Sequence, residues 1–84
     1  MRFQVILPKS VQKELNRLPD DIANRILARM AGLEANPRPP DVKKLKGRDA
    51  WRIRVGDYRV IYEITDETGV VRINRVRHRR EVYR

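Results

Sequence analysis

Trp51-Arg52-Ile53-Arg54-Val55-Gly56-Asp57-Tyr58-Arg59-Val60-Ile61-Tyr62-Glu63-Ile64 decides how this chain folds. The stretch reads as two alternating strands joined by a tight turn. Gly56-Asp57 is a hairpin loop with glycine at the first central position, as a type II′ turn requires. A loop of that length sets Val55 opposite Tyr58, Arg54 opposite Arg59, Ile53 opposite Val60 and Arg52 opposite Ile61. Successive side chains in a strand point to opposite faces. Trp51, Ile53, Val55, Tyr58, Val60, Tyr62 and Ile64 therefore share one face, which must be buried, and Arg52, Arg54 and Arg59 share the other.

The arginine face carries the functional information. Arg54 and Arg59 are directly opposed, and like charges so placed cost a few tenths to about 1 kcal/mol. A chain that only had to fold gains nothing from this arrangement. A chain that holds a phosphate gains a preformed cationic site. The plain alternative is a solvated basic face in an arginine-rich protein.

Working outward, Phe3 to Leu7 is a short apolar run closed by Pro8 and suits a strand. Ser10 is placed to cap a helix in which Val11, Leu15 and Leu18 form one apolar stripe, ended by Pro19. Asp20 and Asp21 open a second helix, whose stripe is Ile22, Ile26, Met30 and Leu33 and whose end is set by Asn36-Pro37. Arg38-Pro39-Pro40 is a stiff linker. Val42 to Gly47 follows, with Lys43, Lys44 and Lys46 beside the central hairpin. After Ile64 the chain turns at Asp66-Glu67-Thr68-Gly69. Thr65 then faces Val70, Ile64 meets Val71, Tyr62 meets Ile73, and Glu63 meets Arg72 as a cross-strand ion pair. The same register sets Arg59 opposite Val76. Alternation fails near Arg75-Val76-Arg77, where a bulge or a strand end is expected. Nothing in the tail His78 to Arg84 reads as a stable element by itself. The expected fold is α+β: an antiparallel sheet of about four strands with an N-terminal helical hairpin packed on one face, in the order β-α-α-β-β-β.

The 84 residues suit a single domain, 1–84. With no cysteine there is no disulfide framework or thiolate metal site, and the lone His78 argues against a histidine-built one. No metal or cofactor is expected. No segment has the roughly 20 apolar residues of a membrane span, and the N-terminal apolar run is too short for a signal peptide, so a cytoplasmic chain without a membrane partner is expected. The net charge is +9. Residues 1–42 contribute +2, from 7 Lys/Arg and 5 Asp/Glu, and residues 43–84 contribute +7, from 13 and 6. The basic half is the strand-rich half, so the positive field belongs to the sheet and favours a polyanion. Arginine outnumbers lysine 15 to 5, which leans towards bidentate phosphate contacts and base stacking, although a GC-rich genome produces the same bias.

Lys44, Lys46, Arg52, Arg54, Arg59, Arg79 and Tyr83 are candidates to converge on one face, with Arg77 and Arg80 as further phosphate contacts. Cutting an RNA phosphodiester requires that a 2′-hydroxyl lose its proton and attack phosphorus. It also requires that the added negative charge be stabilised and the 5′-oxygen be protonated as it leaves. Cations meet the charge requirement. No Ser-His-Asp or paired-histidine arrangement is present for the proton transfers.

The motifs KLKG, WRIRVGDYRVIYEI and HRREVY, in this order after a helical hairpin, resemble the RelE/ParE superfamily of bacterial and archaeal toxins over essentially the whole chain. Basic residues before Val-Tyr resemble the RelE branch. That resemblance implies a microbial-ribonuclease-like fold and a type II toxin that cuts mRNA in the ribosomal A site. It implies neutralisation by a RelB-like antitoxin, with operator DNA bound only through the antitoxin complex. By position it implies that Arg59 stabilises the scissile phosphate, that Arg79 is a general acid or phosphate ligand, and that Tyr83 stacks on or orients the mRNA base. Arg52 and Arg54 stand where well-studied members carry lysines, one proposed as general base. Arginine holds its proton too tightly for that role. Lys44 or Lys46 takes it over, or His78 does, or catalysis rests on positioning and charge. A ParE-like toxin that inhibits DNA gyrase without cutting RNA is the alternative.

Overall fold

The computed structural model describes residues 2–82, without the side chains of Glu81 and Val82. Strand β1 (Gln4–Ile6) leads into helices α1 (Lys9–Asn16) and α2 (Asp20–Gly32). Strands β2 (Lys43–Lys44), β3 (Trp51–Val55), β4 (Tyr58–Thr65) and β5 (Val70–His78) follow, then a short helix α3 (Arg79–Val82). The sheet runs β1-β5-β4-β3-β2. It has five strands rather than about four, and it is mixed, because β1 pairs parallel to β5 through Gln4–Val70, Val5–Val71 and Ile6–Arg72. The added strand is β2, whose two exposed lysines carry no apolar alternation and owe their conformation to pairing with β3.

The β3–β4 hairpin has the register its loop dictates, from Trp51–Tyr62 to Val55–Tyr58. Gly56 has φ of 58° and no non-glycine residue among those described has positive φ, as a type II′ loop with Asp57 second demands. Ile53, Val60, Tyr62, Val71 and Ile73 are fully buried against Val11 and Leu15 of α1 and Ile26 and Met30 of α2, so both helices cover one face of the sheet.

Helix α1 begins earlier than Ser10 would set. Pro8, with φ −60° and ψ 157°, stands at the N-cap, and its carbonyl accepts from the N–H groups of Val11 and Gln12. Pro19 plays the same part for α2, accepting from Ala23, with Asp20 and Asp21 in the first turn. A proline in this position has no N–H to leave unpaired. The helix ends also fall a few residues before Pro19 and Asn36-Pro37, at Asn16 and Gly32. The linker after α2 is clamped. The Tyr62 hydroxyl donates to the Pro37 carbonyl at 2.7 Å, Arg29 makes two hydrogen bonds to Asp41, and Arg38 makes two to Asp66.

The β4–β5 pairing matches expectation from Thr65–Val70 to Tyr62–Ile73 and then shifts. Asn74 is the extra residue of a bulge, so Ile61 meets Arg75, Val60 meets Val76 and Arg59 meets Arg77, not Val76. The irregularity expected near Arg75-Val76-Arg77 is this bulge one residue earlier, and β5 runs on to His78. Glu63 lies opposite Arg72 as expected, and its carboxylate accepts from the Asn74 side-chain amide at 2.8 Å.

Candidate nucleic-acid interface

The face of the sheet away from the helices is built by alternation, and the bulge decides its composition. Without Asn74 in the count, Val76 would lie beside Arg59. With it, Arg54, Arg59 and Arg77 form one row across β3, β4 and β5. Adjacent strands are about 4.8 Å apart, so the row spans roughly 10 Å. The next row is Lys43, Arg52, Ile61 and Arg75, across β2 to β5. Ile61, 5% exposed, is an apolar floor between arginines.

Arg59 stands out in burial. It is 5% exposed, as enclosed as the apolar core, while Arg54 is exposed and Arg52 and Arg77 are half-buried. It lies between Arg54 and Arg77 in the cross-strand register, and helix α3 packs against β4 and β5. Two like-charged contacts in one row cost a few tenths to about 1 kcal/mol each. This is appreciable in a domain whose total stability is of the order of 5–15 kcal/mol. Cations fixed at strand spacing can neutralise phosphates without reorganising, and an enclosed one interacts more strongly than a solvated one.

The remaining candidates are distributed unevenly. Arg79 opens α3, and its N–H donates to the Asp57 carbonyl at 2.7 Å, tying the tail to the hairpin loop beside the Arg54–Arg59–Arg77 row. The tail thus gains a helical turn from tertiary contact that its own sequence does not specify. Arg79 and Arg80 are exposed at this end. Tyr83 lies outside the described residues. Lys44 does not join the arginine face: it pairs with Trp51, its ammonium 5.7 Å from the indole and 3.9 Å from Asp49. Lys43 is the β2 lysine that pairs with Arg52. Lys46 is exposed in the β2–β3 turn, at the far end of β3 from the hairpin loop. His78 pairs with Tyr58 on the helix-covered side, the two rings edge to face with centroids 5.3 Å apart. It is therefore on the opposite side of the sheet from Arg59.

Sequence reasoning did not select Lys43 and Arg75 for this surface. The signal for Lys43 was strand pairing in an all-polar pair of residues, and for Arg75 the one-residue phase change at Asn74.

A basic sheet face of this kind, opposite a helical pair in so small an α+β chain, defines a class of protein. The sequence model of the family described as ParE toxin of type II toxin-antitoxin system, parDE, matches residues 5–83, and the chain belongs to that family. Its relatives carry the RelE name. It is 34% identical to toxin RelE3 of Methanocaldococcus jannaschii, over 96% of each chain. Its fold is similar to that in the archaeal RelE-RelB complex from Pyrococcus horikoshii, with a TM-score of 0.85 and 38% identity over 94% of this chain and 97% of that one. It is also similar to the RelBE2 toxin-antitoxin complex from Mycobacterium tuberculosis, with a TM-score of 0.82 and 27% identity over 93% and 99%. The chain is a RelE-type toxin of a type II toxin-antitoxin system.

Proposed function

We propose that this toxin is a ribosome-dependent endoribonuclease that cuts mRNA in the A site and stops translation. The observation that carries the reading is the Arg54–Arg59–Arg77 row with Arg59 enclosed at its centre. In this reading the scissile phosphate lies over Arg59. The 2′-hydroxyl gives up its proton to water and attacks the adjacent phosphorus, the bond to the 5′-oxygen breaks as that oxygen takes up a proton, and the products are a 2′,3′-cyclic phosphate and a free 5′-hydroxyl. Arg59 takes the charge that develops on the non-bridging oxygens, and Arg52 and Arg54 fix the strand. Arg79, held beside the hairpin loop, serves the leaving oxygen, and Tyr83 orients the base. Arg77, Arg80, Lys44 and Lys46 contribute to RNA binding, the two lysines from outside the arginine rows. His78, on the other face, is not assigned a proton-transfer role. Catalysis rests mainly on position and charge, with the ribosome supplying the order of the substrate.

A RelB-like antitoxin is the expected partner, by likeness to the RelE-RelB complexes, and operator DNA would be bound only through that complex. The reading places the chain in the cytoplasm. No helix among the described residues is long and apolar enough to cross a membrane. The family description favours one other reading, a ParE-like inhibitor of DNA gyrase. Mapping 5′ ends of a defined mRNA in a reconstituted translation reaction separates the two. Cuts inside A-site codons that require ribosomes are expected. An intact message together with inhibited supercoiling by gyrase would replace the nuclease reading.

A further inference from the structure

The basic surface does not stop at the edge of the sheet. β1 covers β5 only over Val70–Arg72, so the half of β5 beyond the bulge has no strand on the side away from β4 among the described residues. Helix α1 packs along it instead. Between them lies a cleft of about 430 Å³, with Lys13, Glu14 and Arg17 on the α1 wall and Arg75 and Arg77 on the β5 wall. A second cleft of about 210 Å³, again lined by Glu14, Arg17 and Arg77, reaches towards Tyr58 and His78.

Three features mark this cleft as more than a gap in packing. Its walls carry four cations and one carboxylate. Lys13 and Arg17 are exposed and four residues apart on one helical stripe, a like-charged spacing that weakens a helix by a few tenths of a kcal/mol. This repeats, on a helix, the unfavourable placement seen in the Arg54–Arg59 pair. Finally, Glu14 fixes the position of Arg77. One carboxylate oxygen accepts from the Val76 N–H at 3.2 Å on the open edge, and the other pairs with the Arg77 guanidinium. Arg77 thereby belongs both to the arginine row and to the cleft.

We propose that the cleft between α1 and the open edge of β5 is a second phosphate track, in which Lys13 and Arg17 take up the backbone of single-stranded RNA as it leaves the Arg54–Arg59–Arg77 row. The inference rests on the RNA reading of the sheet face and extends it to nucleotides flanking the scissile one. Glu14 is a positioning residue here. It holds Arg77 at the turn of the track and keeps the cleft from binding anions indiscriminately.

The test is titration of the purified protein with single-stranded RNAs of about 12 and about 3 nucleotides over a range of salt. Each phosphate contact to a single strand contributes about 0.7 to the slope of log K against log salt. Lys13→Ala/Arg17→Ala is expected to flatten the slope for the longer RNA by about 1.4 and to weaken it about tenfold at 0.1 M salt. Binding of the shorter RNA should be unchanged. Arg2→Ala/Arg48→Ala removes equal charge from exposed positions outside the cleft and should leave the slope alone. Identical slopes for the two double variants would overturn the track while leaving the row intact. Salt-independent or absent binding of both RNAs by the parent protein would remove the RNA reading of the whole surface, and the track with it.

Discussion

Arg59 is a buried arginine whose two cross-strand neighbours are arginines. Methionine keeps the apolar stem of an arginine and removes only its charged head, so the packing of the sheet around it is retained. Arg59→Met is therefore expected to keep the fold, with a urea midpoint close to the parent's, while cleavage falls by about 10²–10³. A midpoint lowered in step with activity would mean that Arg59 is structural. Tyr62 behaves differently. Burial first, then Asp41, pushes its hydroxyl up to about 12, against Arg29 and Arg38, which lower it. The folded state thus keeps a proton that the unfolded chain loses near its ordinary value of about 10. The stability from this group is complete below pH 10 and is lost as pH rises through 12, by up to about 3 kcal/mol. Urea unfolding at pH 8 and pH 11 should show about half of that loss in the parent and little of it in Tyr62→Phe. At this scale the sequence was a partial guide. It set Arg59 opposite Arg54 but not opposite Arg77, which the pattern alone put on the other face.

At the scale of elements, the hairpin was legible because one glycine fixes its loop and the loop fixes every pair. The helices were legible from their stripes. The two features that complete the basic surface were not. A bulge adds one residue with no compositional mark beyond failed alternation, and β2 is two exposed lysines held by pairing with β3. The open half of β5 also depends on a contact far away in sequence, from Glu14 to Val76 and Arg77. Glu14→Ala removes the acceptor of the Val76 N–H and the partner of Arg77, and should cost about 1–3 kcal/mol in urea unfolding. Glu14→Gln keeps an acceptor and should recover part of that loss. Equal stability in all three proteins would show that α1 does not secure this edge.

For the whole molecule, the governing quantity is a net charge of +9 concentrated on the sheet half. Self-repulsion of this kind opposes the folded state and is screened by salt, with a Debye length of about 10 Å at 0.1 M and about 3 Å at 1 M. The thermal midpoint should rise between about 20 mM and 500 mM sodium chloride, by about 4–8 °C for each kcal/mol of repulsion removed. A falling midpoint would mean that exposed ion pairs such as Arg38–Asp66 outweigh the repulsion. The central claim is that this charge is focused by Arg59 onto a phosphate of mRNA. The most direct measurement is the rate of cutting of an end-labelled mRNA on programmed ribosomes by the parent protein and by Arg59→Met, once the variant's fold has been verified. The account predicts A-site cuts by the parent and a rate lower by about 10²–10³ in the variant. Equal rates, or cuts that appear without ribosomes, would contradict it.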